Sequence, residues 1–296
     1  MGAMFRINNN LAATFAQRQL NLSSNDLDQA QQRLASGLRI NVAADDAAGL
    51  AISERMRTAQ RGLNQAESNA QDGISVLQTA EGGLESINDN LQRVRELAVQ
   101  AANDSLTDSD RKLIQVEVNE LVEEIDRTAS TVQFNNRQLL TNEFSTVDES
   151  GTAEMDGQAS LNFHIGANRN EIITITVDDI QTATADALSM RDEDGNVIEV
   201  TSHDLAESAI QIATEAIDRV SSSRASIGGV QNRLEGAVEF LQIQQENTQA
   251  SESRIRDADI AEEAVARTRA QILTQAGTSV LSQAQQTPQQ ALQLLA

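Results

Sequence analysis

Only two imidazoles, His164 and His203, stand in this chain of 296 residues, and cysteine is absent. A bound transition metal needs three or four nitrogen, sulfur or carboxylate donors at set spacings. No H-E-x-x-H pair, phosphate-cradling glycine loop, nucleophile elbow or dinucleotide fingerprint occurs in the sequence. Neighbouring carboxylates such as Glu123 and Glu124 occupy adjacent helical positions and point apart, which suits a solvated face and not a general acid and base pair. The residue types therefore argue against an enzyme and require no metal and no cofactor. What remains is contact chemistry. One residue stands apart from the helical pattern: Leu97, four positions after Arg93, falls outside the apolar stripe of its own helix, although singly exposed leucines are common.

That stripe is the organising element. Alternating steps of four and three from Ile52 meet Met56, Ala59, Leu63, Ala66, Ala70, Gly73, Leu77, Ala80, Leu84, Ile87, Leu91, Val94, Ala98 and Ala101, every one apolar or glycine. A mean spacing of 3.5 residues over such a length predicts a helix of roughly 75 Å packed lengthwise on other helices. A second seam of the same period runs from Ala209 through Ala213, Ala216, Val220, Ser223, Ile227, Val230, Leu234 and Ala237 to Leu241. Between them, Thr107 with Asp108 and Asp110 reads as the cap and first turn of a helix bearing Ile114, Val118, Leu121, Ile125, Thr128 and Val132. Leu161, Phe163 and Ile165, then Ile173, Ile175 and Val177, alternate with polar residues around the turn-rich run Gly166 to Asn170, the mark of a β-hairpin. The predicted fold is mainly α: an elongated antiparallel helical bundle or coiled coil with a small β-hairpin region.

The two ends are thinner. Ala13, Ala16, Leu20, Ser23, Leu27, Ala30 and Leu34 keep heptad spacing among Gln and Asn, and the last helix carries a weak face of Val265, Ile272, Ala276, Val280 and Leu281. Pro288 interrupts it, and Leu292, Leu294 and Leu295 leave an apolar tip that points to docking. Such helices gain stability only against another surface. The net charge of −22 is concentrated between 142 and 200, where thirteen acids face only Arg169 and Arg191, while both ends are nearly neutral. Ends bound for burial and a solvated middle account for that gradient. It disfavours nucleic acid, whose binding needs clustered positive charge, and no apolar run approaches the ~18 residues of a membrane span.

Several stretches carry a resemblance. These are R-L-A-S-G-L-R-I-N from Arg33, D-D-A-A-G-L-A-I-S from Asp45, N-A-Q-D-G-I-S from Asn69, N-L-Q-R-V-R-E-L-A-V-Q from Asn90, S-R-I-R-D-A-D-I-A-E-E from Ser253 and Q-Q-T-P-Q-Q-A-L-Q-L-L from Gln285. The chain resembles bacterial flagellin, the filament subunit of the flagellum. The resemblance implies an inner-tube helix and connector at 1–44, the two halves of an outer-tube helical domain at 45–141 and 201–254, a short acidic insert with the hairpin at 142–200, and a C-terminal inner-tube helix at 255–296. It implies a secreted, self-assembling helical polymer exported through the flagellar type III apparatus. The partners it implies are an export chaperone, hook-associated and cap proteins and, for the monomer in animal hosts, the flagellin-sensing Toll-like receptor. Gln92, Arg93, Leu97 and Glu117 match the receptor-binding and subunit-contact motif; Leu20, Leu27, Leu34, Ile272, Val280, Leu292, Leu294 and Leu295 fall to assembly and C-terminal docking. The alternative is a hook–filament junction protein, which resembles flagellin at its ends.

Overall fold

The computed structural model describes residues 10–141, 146–147, 153–154, 160–176, 183–191 and 197–293. In order these form α1 (Leu11–Ser36), α2 (Ala47–Ala101), α3 (Asp108–Thr131), the short strands β1 (Gln133–Phe134), β2 (Arg137–Gln138), β3 (Thr146–Val147) and β4 (Ala153–Glu154), the hairpin β5 (Ser160–His164) and β6 (Ile172–Thr176), then α4 (His203–Arg256) and α5 (Ile260–Gln293). The chain divides into two compact units, Met1–Gln60 with Glu246–Ala296, and Arg61–Gln245.

The larger unit is a bundle of α2, α3 and α4. The predicted stops of α2 from Leu63 to Ala101 are buried, as are Ala209, Ala213, Ala216, Val220, Ile227, Leu234 and Leu241 of α4. Thr107 and Asp110 close a reciprocal capping box on α3. On α3 the core position is Val122, with Leu121 half-buried beside it. In the hairpin, Leu161 pairs with Ile175 and Phe163 with Ile173, so the alternating apolar residues share one face. Val177 lies outside the described residues. Phe163 explains Gly73: a Cβ there would sit 3.0 Å from its ring.

Two features depart from expectation. The acidic insert is not wholly a solvated element, because Ala183, Ala185, Leu188, Met190, Ile198 and Val200 are buried in the bundle core. Asp126 holds this segment by accepting from Ala185 N at 2.8 Å and pairing with Arg191 at 2.9 Å. The Gln115 amide brackets its far end, donating to Ile198 O and accepting from Val200 N. The second feature is the β1–β2 hairpin, whose two-residue loop Asn135-Asn136 has φ of 50° and 62°. Both central residues left-handed is the requirement of the twist-matched turn, and asparagine tolerates it.

In the smaller unit α1 packs antiparallel on α5, and Ala16, Ser23 and Ala30 are buried between them. Here the α2 stripe shifts by one position. Ile52 is exposed and Ser53 is buried in its place, donating to Leu50 O at 2.9 Å. Ile40, buried against Gly49, supplies the apolar bulk at that level, so no large side chain is needed from the helix.

Candidate functional site

The first candidate surface lies on α2 and α3. Their antiparallel packing sets Arg93 beside Glu117, with Arg93 Nη2 and Nε donating to Glu117 Oε1 at 2.7 and 3.0 Å. Arg93 Nη1 also donates to Glu96 at 3.2 Å. These contacts push the guanidinium pKa up, Glu117 contributing most. Gln92, Arg93 and Glu117 are exposed, and so are Val99 on α2 and Leu113 and Val116 on α3. Leu97 is not part of this face. It is 2% exposed within the bundle core, in one cluster with Val94, Ala98 and Val118. The expectation of an apolar knob outside the seam is therefore corrected: near its C-terminal end the stripe of α2 widens to take in both neighbours, α3 and α4. The spacing alone did not reveal this, because a helix packed on two sides buries more than one column of residues.

The second candidate surface belongs to α1 and α5. Leu20, Leu27 and Leu34 are half-buried toward α5, as the heptad spacing requires. On α5 the facing positions are Glu263, Ala270, Thr274, Gly277, Leu281 and Ala284. The weak face read from sequence thus contributes only Leu281 to this seam. Val265, Ile272, Leu273 and Val280 are exposed, and so are Leu11, Phe15 and Leu22 on α1. Packing explains the correction: Leu20, Leu27 and Leu34 fill the seam from α1, and the heptad row Ala270, Gly277 and Ala284 on α5 is small, which lets the helices approach. A Cβ on Gly277 would lie 3.2 Å from Leu20 Cδ1. Leu292 falls within α5, while Leu294 and Leu295 lie outside the described residues.

Between these helices and the long ones, two of the quoted motifs meet. Gly37 ends α1 with φ +72°, and the connectors then pair as backbone, Arg39 N donating to Arg256 O at 2.7 Å and Ala258 N to Gly37 O at 3.0 Å. Arg39 Nη2 caps Ile255 O at 2.6 Å, and Arg256 reaches Glu54 at 2.8 Å. Asp45 accepts from the Asn41 and Val42 amides at 3.0 and 3.1 Å, and those bonds hold its carboxyl below the ordinary range. Glu54 is lowered likewise, chiefly by Arg256. Gly37, Arg39, Asn41, Asp45, Ile255, Arg256 and Ala258 stand in the motifs quoted above, whose spacing does not reveal that these segments pair.

His203 stands between two carboxylates, Asp104 at 3.7 Å from Nδ1 and Glu207 at 3.5 Å from Nε2. The carbonyl of His164 accepts from Asn69 at 3.0 Å, and His203 Nδ1 lies 2.8 Å from Ala102 O. Among the described residues no group of three His, Cys, Asp or Glu is placed to hold a metal, and no helix is long and apolar enough to cross a membrane. The arrangement offers binding surfaces: an ion-paired face on the bundle and an apolar outer face on the terminal helices.

Comparison with known proteins gives consistent matches. Residues 7–145 match the model of the bacterial flagellin N-terminal helical region, and residues 210–295 that of the C-terminal helical region. The chain is 50% identical to the flagellar filament core protein flaB2 of Brachyspira hyodysenteriae over 98% of its own length and 99% of the relative's. It is 43% identical to the flagellin of Bacillus subtilis, again over 98% and 99%. Among solved structures, a putative flagellar hook-associated protein from Vibrio parahaemolyticus shares the fold with a TM-score of 0.57, at 15% identity, covering 72% of this chain and 100% of that one.

Proposed function

From the premise that the chain belongs to the bacterial flagellin family and is a structural subunit of the flagellar filament, we propose how its parts divide that work. The terminal helices, 1–44 and 255–296, form the inner tube of the polymer, and the long helices of 45–141 and 201–254 the tube around it. The observation that carries this reading is the outward placement of Phe15, Leu22, Val265, Ile272, Leu273 and Val280 on a helix pair whose mutual seam sets Leu20, Leu27 and Leu34 of α1 against Ala270, Gly277 and Ala284 of α5. An exposed apolar face of that extent suits contact with further copies in a heterologous, non-closing array. In the cell the same face requires cover, which an export chaperone provides before the chain passes unfolded through the type III apparatus and is secreted. Hook-associated and cap proteins then bound the polymer at its two ends.

Gln92, Arg93 and Glu117 form the second contact surface, buried against a neighbour in the polymer and open to the Toll-like receptor in the monomer. An arginine fork with its acid partner, on helices that also expose Val99, Leu113 and Val116, has the makings of a compact hot spot. Purified protein, seeded and salted out, should grow long tubes under negative stain; growth that stops at rings would instead favour the junction-protein reading. Arg93→Ala or Glu117→Ala monomers should lose receptor signalling about tenfold or more. Intact filaments as active as monomers would overturn the burial of this face.

A further inference from the structure

The seam between α1 and α5 does not by itself choose a register. Leu20, Leu27 and Leu34 recur at seven residues on α1, with Ala16, Ser23 and Ala30 in the adjoining row, and small residues recur at seven on α5 as Ala270, Gly277 and Ala284. Sliding one helix by a heptad toward the C-terminus of α5 would set Leu20, Leu27 and Leu34 against Ala284, Gly277 and Ala270, with little change in buried apolar area. Main-chain bonds tie the connectors at one end, Arg39 N to Arg256 O and Ala258 N to Gly37 O, and Asn10 Nδ2 donates to Ala284 O at 2.7 Å at the other, but each ends on a carbonyl that any residue presents. One contact made by side chains on both helices breaks the repeat. Arg33 Nη1 lies 3.1 Å from Glu263 Oε1, with side chains only 26% and 13% exposed, at the connector end of the seam.

We infer that the Arg33–Glu263 pair is the register pin of the terminal helix pair, the residues that specify which of several near-equivalent alignments the two chain ends adopt. A heptad slip in one direction brings Arg33 level with Arg256 and sets Leu27 against Glu263; a slip in the other leaves Arg33 facing Ala270. Both separate two partly desolvated charges, a cost that apolar packing does not recover. Polar pairs set within apolar seams have registry as their best-attested role. The consequence for assembly rests on the filament reading above: register decides how the outward Phe15 and Leu22 line up with Val265, Ile272 and Val280, and so whether one continuous face is offered to a neighbour.

The chain contains no cysteine, so introduced thiols report register cleanly. A Cβ on Gly277 would stand 3.7 Å from Leu20 Cβ, within disulfide range. Leu20→Cys/Gly277→Cys should therefore oxidise readily in the full chain assembled into filaments, whereas Leu20→Cys/Ala270→Cys and Leu20→Cys/Ala284→Cys, each a heptad away, should not. In the Arg33→Leu/Glu263→Leu background the ratio of slipped to in-register disulfide should rise at least tenfold. Exclusive in-register linkage in that background, with tubes still visible, would overturn the pin while leaving the filament reading untouched. If that background does not assemble, the charge-reversed Arg33→Glu/Glu263→Arg chain decides: recovery of in-register linkage supports the pin, and failure to recover it refutes it. Absence of tubes from the unmodified chain would instead count against the filament reading.

Discussion

Truncating Leu97 removes a fully packed side chain from the core of the bundle unit, and Leu97→Ala should cost about 2–5 kcal/mol of stability. Calorimetry on the monomer reads this directly, as a fall in Tm. Arg93→Ala, four residues away on the exposed side of the same helix, should leave the Tm nearly unchanged, since exposed ion pairs contribute little to stability. The two substitutions thus separate folding from recognition. Asp45 behaves differently, because its carboxylate is fixed by the Val42 and Asn41 amides, which hold it below the ordinary carboxylate range. A carboxyl lowered in the folded state adds stability that is present above its unfolded pKa and is lost as pH falls through the folded value. Asp45→Asn should therefore destabilise the connector at neutral pH, and the gap from the parent should close below about pH 4. Proteolysis rates at 37–46 across pH provide the measurement; a gap that widened in acid would contradict the assignment.

The helices make their own case through neighbouring glycines. A Cβ on Gly83 would come within 2.6 Å of Val132 and 2.7 Å of Leu140, whereas a Cβ on Gly82 meets nothing within 4 Å. Gly83→Ala should therefore cost about 1–3 kcal/mol through overpacking, and Gly82→Ala should gain up to ~1 kcal/mol from helix propensity. Opposite shifts in denaturation midpoint for adjacent residues would confirm that Gly83 exists to seat α3 and its following hairpin against α2. The same logic places Gly73 under Phe163 and Gly277 under Leu20. In each case a long helix gives up local stability where another element must come close.

For the molecule as a whole, assembly and order should be linked. The outward residues of α1 and α5 stay in contact with water in an isolated chain, and ordering costs about 1–2 kcal/mol per residue. Amide exchange across Ala13 to Leu34 should accordingly slow sharply when monomers enter the filament; equal protection in both states would sink the link. The charge of −22 adds a second dependence. Acidic surfaces repeated around a tube repel unless screened within about 8–10 Å, so the critical concentration for growth should fall as sodium chloride is added.

Periodicity determined much of this protein without coordinates. The seams of α2 and α4, the α1 row from Ala13 to Leu34, the capping box of α3 and the β5–β6 hairpin follow from spacing, because a face that must be buried leaves its period in the sequence. The motifs at Arg33, Asp45, Asn90 and Ser253 carried the family. Tertiary structure decided what spacing leaves degenerate. It buried Leu97 by packing α2 on two sides, turned Val265, Ile272 and Val280 outward while the small Ala270, Gly277 and Ala284 face α1, and drew Leu188, Met190 and Ile198 of an acidic segment into the core. It also brought Arg39 to Arg256 and Arg33 to Glu263 across more than two hundred residues. A local pattern records that a residue is buried or charged; which partner meets it is fixed only when distant segments close on one another.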